Sequence, residues 1–186
     1  MMTAIVLIRH GETDWNIIGR YQGQADPPLN PKGRMQAQKL AKELSQNSLD
    51  VIYSSPLRRT LETAKIISNK LKIDVINEPR IMEIHQGDWQ TRLRTEIEER
   101  YPDLFAAWEI TPWEVTPPGG EHLKEVQQRV STALDDIIRM NNGKKIGIVT
   151  HRIPIALIKV RYQGMDPDIV RTIELPNAYW EEIEIS

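Results

Sequence analysis

Residues 4–16 read AIVLIRHGETDWN. The apolar run from Ala4 to Ile8 predicts a short buried strand. It stops abruptly at Arg9-His10-Gly11, two side chains that a core rejects and a glycine. A second stretch, IGIVTHRIPIALIK at residues 146–159, passes the same way from an apolar run into His151 and then a helical pattern. A third, VIYSSPLRRTLETA at residues 51–64, leads through Ser54 and Ser55 to Arg58 and Arg59. Three predicted strands therefore end in polar or cationic groups. In open α/β sheets, ligands bind outside the carboxyl ends of the strands. Several cations converging there are costly unless an anion lies between them. Phosphate suits that place, because guanidinium forks hold its oxygens two at a time.

The rest of the chain supplies the scaffold for such a sheet. Residues 3–8, 51–55, 73–77 and 145–150 read as buried strands, and AYWEEIEI at 178–185 as a last strand near the sheet edge. Helical periodicity lies between them. Ala37, Leu40, Ala41 and Leu44 share one face after Pro31; Leu57, Leu61, Ala64 and Leu71 share one after Pro56. Leu123, Val126, Val130, Ala133 and Ile137 mark a longer helix after Gly119-Gly120. The alternation predicts an α/β three-layer sandwich, with a mostly parallel central sheet flanked by helices. One domain is expected over residues 1–186, with a Trp- and Pro-rich helical cap insertion around 92–120.

Composition narrows the function. The 186 residues carry 24 basic and 26 acidic side chains, a net charge of −2, which argues against nucleic acid or an anionic membrane as partner. With no cysteine, disulfides, thiol nucleophiles and thiolate metal sites are excluded. Ala4–Ile8 is too short for a signal peptide or a membrane span, and a cytoplasmic protein is expected.

The motifs LIRHGETDWN, YSSPLRRTLETA, MEIHQGDWQ, PPGGEH and VTHR, in that order, resemble the histidine phosphatase superfamily with its phosphoglycerate-mutase-like fold. GRYQGQADPPLNPKGRMQAQKLA resembles that family's second segment, and the resemblance runs from Ile5 to about Asn177. It implies that His10 is the nucleophile that becomes phosphorylated. Arg9, Arg58 and His151 would complete a phosphate pocket, with Asn16, Gln22 and Gly23 as further substrate contacts. Glu83 would be the proton donor to the leaving group. Arg59 reads as a solvated helix residue.

The chemistry explains these residue types. A phosphate monoester is a dianion with a poor alkoxide leaving group, so direct attack by water is very slow. A neutral imidazole splits the reaction into two easier steps. Arginines and His151 stabilise the transferring group, and Glu83 serves first as acid and then as base. No metal and no cofactor are required by this scheme. The chain is compact, with only the 92–120 region available to exclude water, which favours a hydrolase over a mutase. A non-catalytic phosphate-binding module is the reading from a different class; it would be expected to lose His10, Glu83 or an arginine, and all are present. The expected partner is a small phosphorylated substrate, with a homodimer left open.

Departures from the family pattern fall at Gln90-Thr91, His122 and Arg152. If His85, His122 and Arg152 all face the pocket mouth, the leaving group is anionic. Arg20 and Tyr21 are further rim candidates.

Overall fold

The computed structural model describes residues 3–46 and 48–185. Five strands, β1 Thr3–Arg9, β2 Val51–Ser54, β3 Val75–Asn77, β4 Lys145–Thr150 and β5 Trp180–Ile185, form one sheet in the order β3-β2-β4-β1-β5. All neighbours are parallel except β5, which runs antiparallel to β1 at the edge. β1 and β4 are central, with Ile8 opposite Val149 and Arg9 opposite Thr150. Their last residues therefore emerge side by side.

Period-two alternation sends each strand's side chains to two cores. Ile5 and Leu7 join one cluster; Val6 and Ile8 join the other. The second is covered by Leu40, Ala41 and Leu44 of α2 (Pro31–Leu44) and Ala64 and Ile67 of α3 (Arg58–Leu71), which follow the short α1 (Asp14–Ile17). The first is covered by α6 (Leu123–Met140) and α7 (Arg152–Gln163), whose buried faces include Val126, Val130, Ala133, Ile155 and Ile158. A short α8 (Ile169–Thr172) follows. This is the expected three-layer arrangement. The strand expected over 73–77 is shorter and occupies an edge, where Ile76 is exposed.

The region expected as a helical cap holds α4 (Arg94–Arg100), α5 (Pro102–Ile110) and a 3₁₀ turn at Pro112–Glu114. It is pinned by edge-to-face aromatic packing. Trp89 meets Phe105 at 5.5 Å and Trp108 at 5.7 Å between ring centroids, and Tyr21 meets Phe105 at 6.0 Å. Trp89 is fully buried; truncating such a side chain to alanine typically costs about 3–5 kcal/mol.

The face expected on α3 is displaced. Leu57 precedes the helix as its N-cap, and the buried stripe is Arg59, Thr60, Thr63, Ala64 and Ile67. Close backbone contact fixes the β1 exit. A β-carbon at Gly33 would stand 2.1 Å from the Glu12 carbonyl oxygen, and one at Gly11 2.5 Å from the Gly33 carbonyl oxygen. Glycine at both positions lets α2 press against the turn after His10.

Candidate active site

His10 leaves the end of β1 97% buried, with its backbone N–H still bonded to the Thr150 carbonyl at 3.2 Å. Its Nδ1 lies 2.7 Å from the Gly11 carbonyl oxygen. A carbonyl only accepts, so the proton is on Nδ1 and the lone pair on Nε2. His151 follows β4 as the N-cap residue of α7, fully buried, with its ring centroid 5.3 Å from that of His10. His151 Nε2 is 2.9 Å from Ser55 Oγ. Its Nδ1 is buried with no partner among the described residues.

Two arginines flank the histidines. Arg9 donates to the Leu175 carbonyl. Arg59 donates to the Ala25 carbonyl at 2.8 Å and to the Gly23 carbonyl at 2.7 Å. Burial lowers both guanidinium groups to about 10, opposed mainly by the negative charge of Glu83. The Nε of each is buried without a partner among the described residues. Burial, then the charges of Arg59 and Arg9, holds His10 well below the usual imidazole range. His151 is lowered likewise, by burial first and Arg59 next. Neutral imidazole beside buried guanidinium groups is the electrostatic state in which a nitrogen can attack and a bound anion is held.

Arg9, His10, Arg59 and Glu83 face one cleft of about 110 Å³ that is open to solvent. Gln22 and Gly23, both expected as substrate contacts, line it too. Gly23 has φ +50°, a conformation that favours glycine, and a β-carbon there would displace the Gln90 side-chain oxygen, 2.4 Å away. Gln22 Oε1 is buried without a partner among the described residues.

Arg58 is a correction. Its side chain is exposed, while its backbone N–H donates to Asp26 Oδ1 at 2.6 Å and so caps the start of α3. The next residue, Arg59, is 99% buried and is the one that lines the cleft. One residue is about 100° of helical rotation, enough to turn Arg58 to solvent and Arg59 to the cleft; Arg58 is the position that the resemblance implies, and no helical pattern points to it. A stripe drawn through Thr60, Ala64 and Ile67 identifies Arg59.

Asn16 is not among the cleft's lining residues. Its Oδ1 accepts from the Thr13 N–H at 3.0 Å in a capping box, and from Asn177 Nδ2 at 3.2 Å. Asn177 Nδ2 also reaches the His10 carbonyl at 3.4 Å, so Asn16 joins the site through that amide.

Of the three groups set at the pocket mouth, Arg152 alone lines the cleft. It donates to the Val170 carbonyl at 3.1 Å. His122 is the N-cap of α6: its Nδ1 accepts the Lys124 N–H at 3.0 Å while Glu125 accepts the His122 N–H at 2.8 Å. His85 Nδ1 accepts the Gly87 N–H at 3.2 Å, within its own loop. Tyr21 packs in the aromatic core, and Arg20 donates to the Thr91 carbonyl. Gln86 and Ile153, which carried no signal in the sequence, complete the cleft wall. Among the described residues, no three His, Cys, Asp or Glu side chains gather closely enough to hold a metal ion, and no helix is long and apolar enough to cross a membrane.

The chain is similar to several known proteins. Phosphoserine phosphatase 1 of Hydrogenobacter thermophilus is 41% identical over 184 residues, covering 99% of this chain and 87% of that protein. Phosphoglycerate mutase-like protein 4 of Arabidopsis thaliana is 39% identical, covering 94% of this chain and 76% of that protein. The solved structure of Bacillus stearothermophilus YhfR superposes with a TM-score of 0.93 at 34% identity, covering 99% of this chain and 92% of that one. The sequence model of the histidine phosphatase superfamily (branch 1) matches residues 5–186. The chain belongs to the histidine phosphatase superfamily.

Proposed function

We propose that the protein hydrolyses small anionic phosphomonoesters through a phosphohistidine at His10, without a metal, as one domain with the 92–120 segment as its cap. The observation that carries this reading is the His10 ring: Nδ1–H is held on the Gly11 carbonyl and Nε2 is left with its lone pair, between two buried arginines. In the first step, Nε2 attacks phosphorus and the ester P–O bond breaks. Glu83, protonated at that moment, gives its proton to the leaving oxygen. In the second, water attacks phosphorus, Glu83 takes a proton from it, and the P–N bond breaks to regenerate neutral His10. Arg9, Arg59 and the free Nδ1–H of His151 hold the equatorial oxygens as charge redistributes.

Hydrolysis, in place of transfer to a second hydroxyl, is supported by the cleft's opening to solvent and by the phosphoserine phosphatase relative. Phosphoglycerate mutase-type transfer is the alternative, favoured by the mutase-like relative. The preference for an anionic leaving group rests on Arg152, which reaches the mouth and has no carboxylate partner within ion-pair distance among the described residues.

The test compares kcat/KM for phosphate release from phosphoglycerate and phosphoserine with that from glycerol phosphate. Wild type is expected to favour the acidic esters by about ten- to a hundredfold, the worth of one charge-assisted contact, and Arg152→Ala to lose that preference. Phosphate release should exceed interconversion of phosphoglycerates. No preference in wild type, or interconversion faster than release, contradicts the reading.

A further inference from the structure

Glu83 lies in an irregular segment between the 3₁₀ turn at Pro79–Ile81 and the turn at Gly87–Trp89, with no strand or helix to fix it. A general acid must nonetheless be held to a few tenths of an ångström. The carbonyls of four consecutive residues, the last two of the Pro79–Ile81 turn and the first two of the segment, accept from side chains distant in sequence. The Ile81 carbonyl accepts from Thr150 Oγ1 at 2.6 Å. Those of Arg80, Met82 and Glu83 accept from one guanidinium, Arg129 on α6: Nη1 donates to Arg80 and Met82, both at 2.7 Å, and Nη2 to Glu83 at 3.0 Å. The remaining donors go to Glu121, Nε to Oε1 at 2.8 Å and Nη2 to Oε2 at 2.9 Å. An arginine has five N–H donors, and all five are committed. Glu121 Oε2 also accepts the His85 N–H at 2.7 Å, two residues beyond Glu83. The Ile84 N–H donates to Glu83 Oε1 at 3.0 Å, so the direction of the carboxylate follows the backbone that Arg129 holds.

We infer that Arg129, braced by Glu121, is the positioning residue for the proton-donating carboxylate of Glu83. The inference rests on the proposed acid role of Glu83. Arg129 is not among the residues lining the cleft and acts through the segment it holds. Lysine cannot replace it, because three donors on one nitrogen cannot span three carbonyls and a carboxylate.

The experiment measures kcat/KM for nitrophenyl phosphate, whose leaving group needs little protonation, and for glycerol phosphate, whose alkoxide needs it. Arg129→Lys, Glu121→Gln and Glu83→Gln are compared with wild type, with thermal melting to confirm folding. The ratio of nitrophenyl to alkyl activity is expected to rise by at least about tenfold in Arg129→Lys and Glu121→Gln, and further in Glu83→Gln, because misplacing the acid slows only the step that needs its proton. A ratio unchanged in Arg129→Lys and Glu121→Gln, but raised in Glu83→Gln, overturns the inference and reduces Arg129 to a structural residue. A ratio unchanged in Glu83→Gln itself overturns the acid role of Glu83, and the inference with it. If Arg129→Lys does not fold, Glu121→Gln decides by the same ratio.

Discussion

The two buried histidines present opposite ring nitrogens to their supports. His10 is held through Nδ1 by a carbonyl, and His151 through Nε2 by the Ser55 hydroxyl. Ser55 Oγ also accepts the Leu57 N–H at 3.4 Å; with the hydroxyl proton donated to His151 Nε2, the tautomer that the proposed mechanism needs, the imidazole proton sits on Nδ1. One ring thus keeps a lone pair for attack, and the other an N–H to donate. The arginines divide as sharply. Arg59→Ala is expected to lower kcat/KM by about ten- to a hundredfold, the worth of a charge-assisted contact to the phosphoryl group. Arg58→Ala is expected to stay within about threefold, as for an exposed residue away from any special feature. Steady-state kinetics on both variants checks this, and the reverse order would contradict it. At this scale Arg9, His10, Gln22, Gly23 and Glu83 are singled out by motif, and each lines the cleft; His151, also singled out, is not among the lining residues, and its ring centroid lies 5.3 Å from that of His10. Arg58 was not separable from Arg59 by motif alone. The two differ only in helical phase, and that phase depends on where α3 begins, which the Asp26 carboxylate sets from 32 residues away.

At the scale of elements, the strands and the long helices were legible because their patterns are local. β1, β2 and β4 are apolar runs ended by polar residues, and α2 starts at Pro31 with Asn30 accepting the Gly33 N–H at 2.7 Å. Residues 178–185 alternate, and β5 follows as an edge strand, one face packing Ile183 and the other Trp180. The segment from Glu78 to Thr91 was opaque for the opposite reason. It has no periodicity, and its order comes from groups distant in sequence. Gln90 Oε1 accepts the Gln24 N–H at 2.7 Å, Gln24 Nε2 donates to the Glu83 carbonyl at 3.1 Å, and Arg129 reaches back 46 residues. Spacing within one chain carries no mark of such contacts. His122 is the converse case: left open between the pocket mouth and a helix start, it begins α6, and its capping box with Glu125 is readable three residues on.

Across the whole molecule, a net charge of −2 conceals a strongly cationic cleft, and that concentration has a price in acid. His10 and His151 are held neutral well below their ordinary value of 6.5. The unfolded chain binds both protons as pH drops below that value; the folded chain does not. The unfolded state therefore holds more protons, so stability is complete above about pH 6.5 and falls as pH drops, by up to about 1.4 kcal/mol per pH unit for each histidine. Denaturant titrations of the ligand-free protein between about pH 7 and about pH 5 should show a steeper loss for wild type than for His10→Ala; equal slopes would contradict the buried neutral imidazole. The central claim is that this neutral imidazole attacks phosphorus. It is tested most directly by rapid quenching of the enzyme into alkali after mixing with a radiolabelled phosphomonoester. The account predicts protein-bound label that survives base, is lost in acid, and is absent from His10→Ala; label that survives acid, or that persists in His10→Ala, would contradict it.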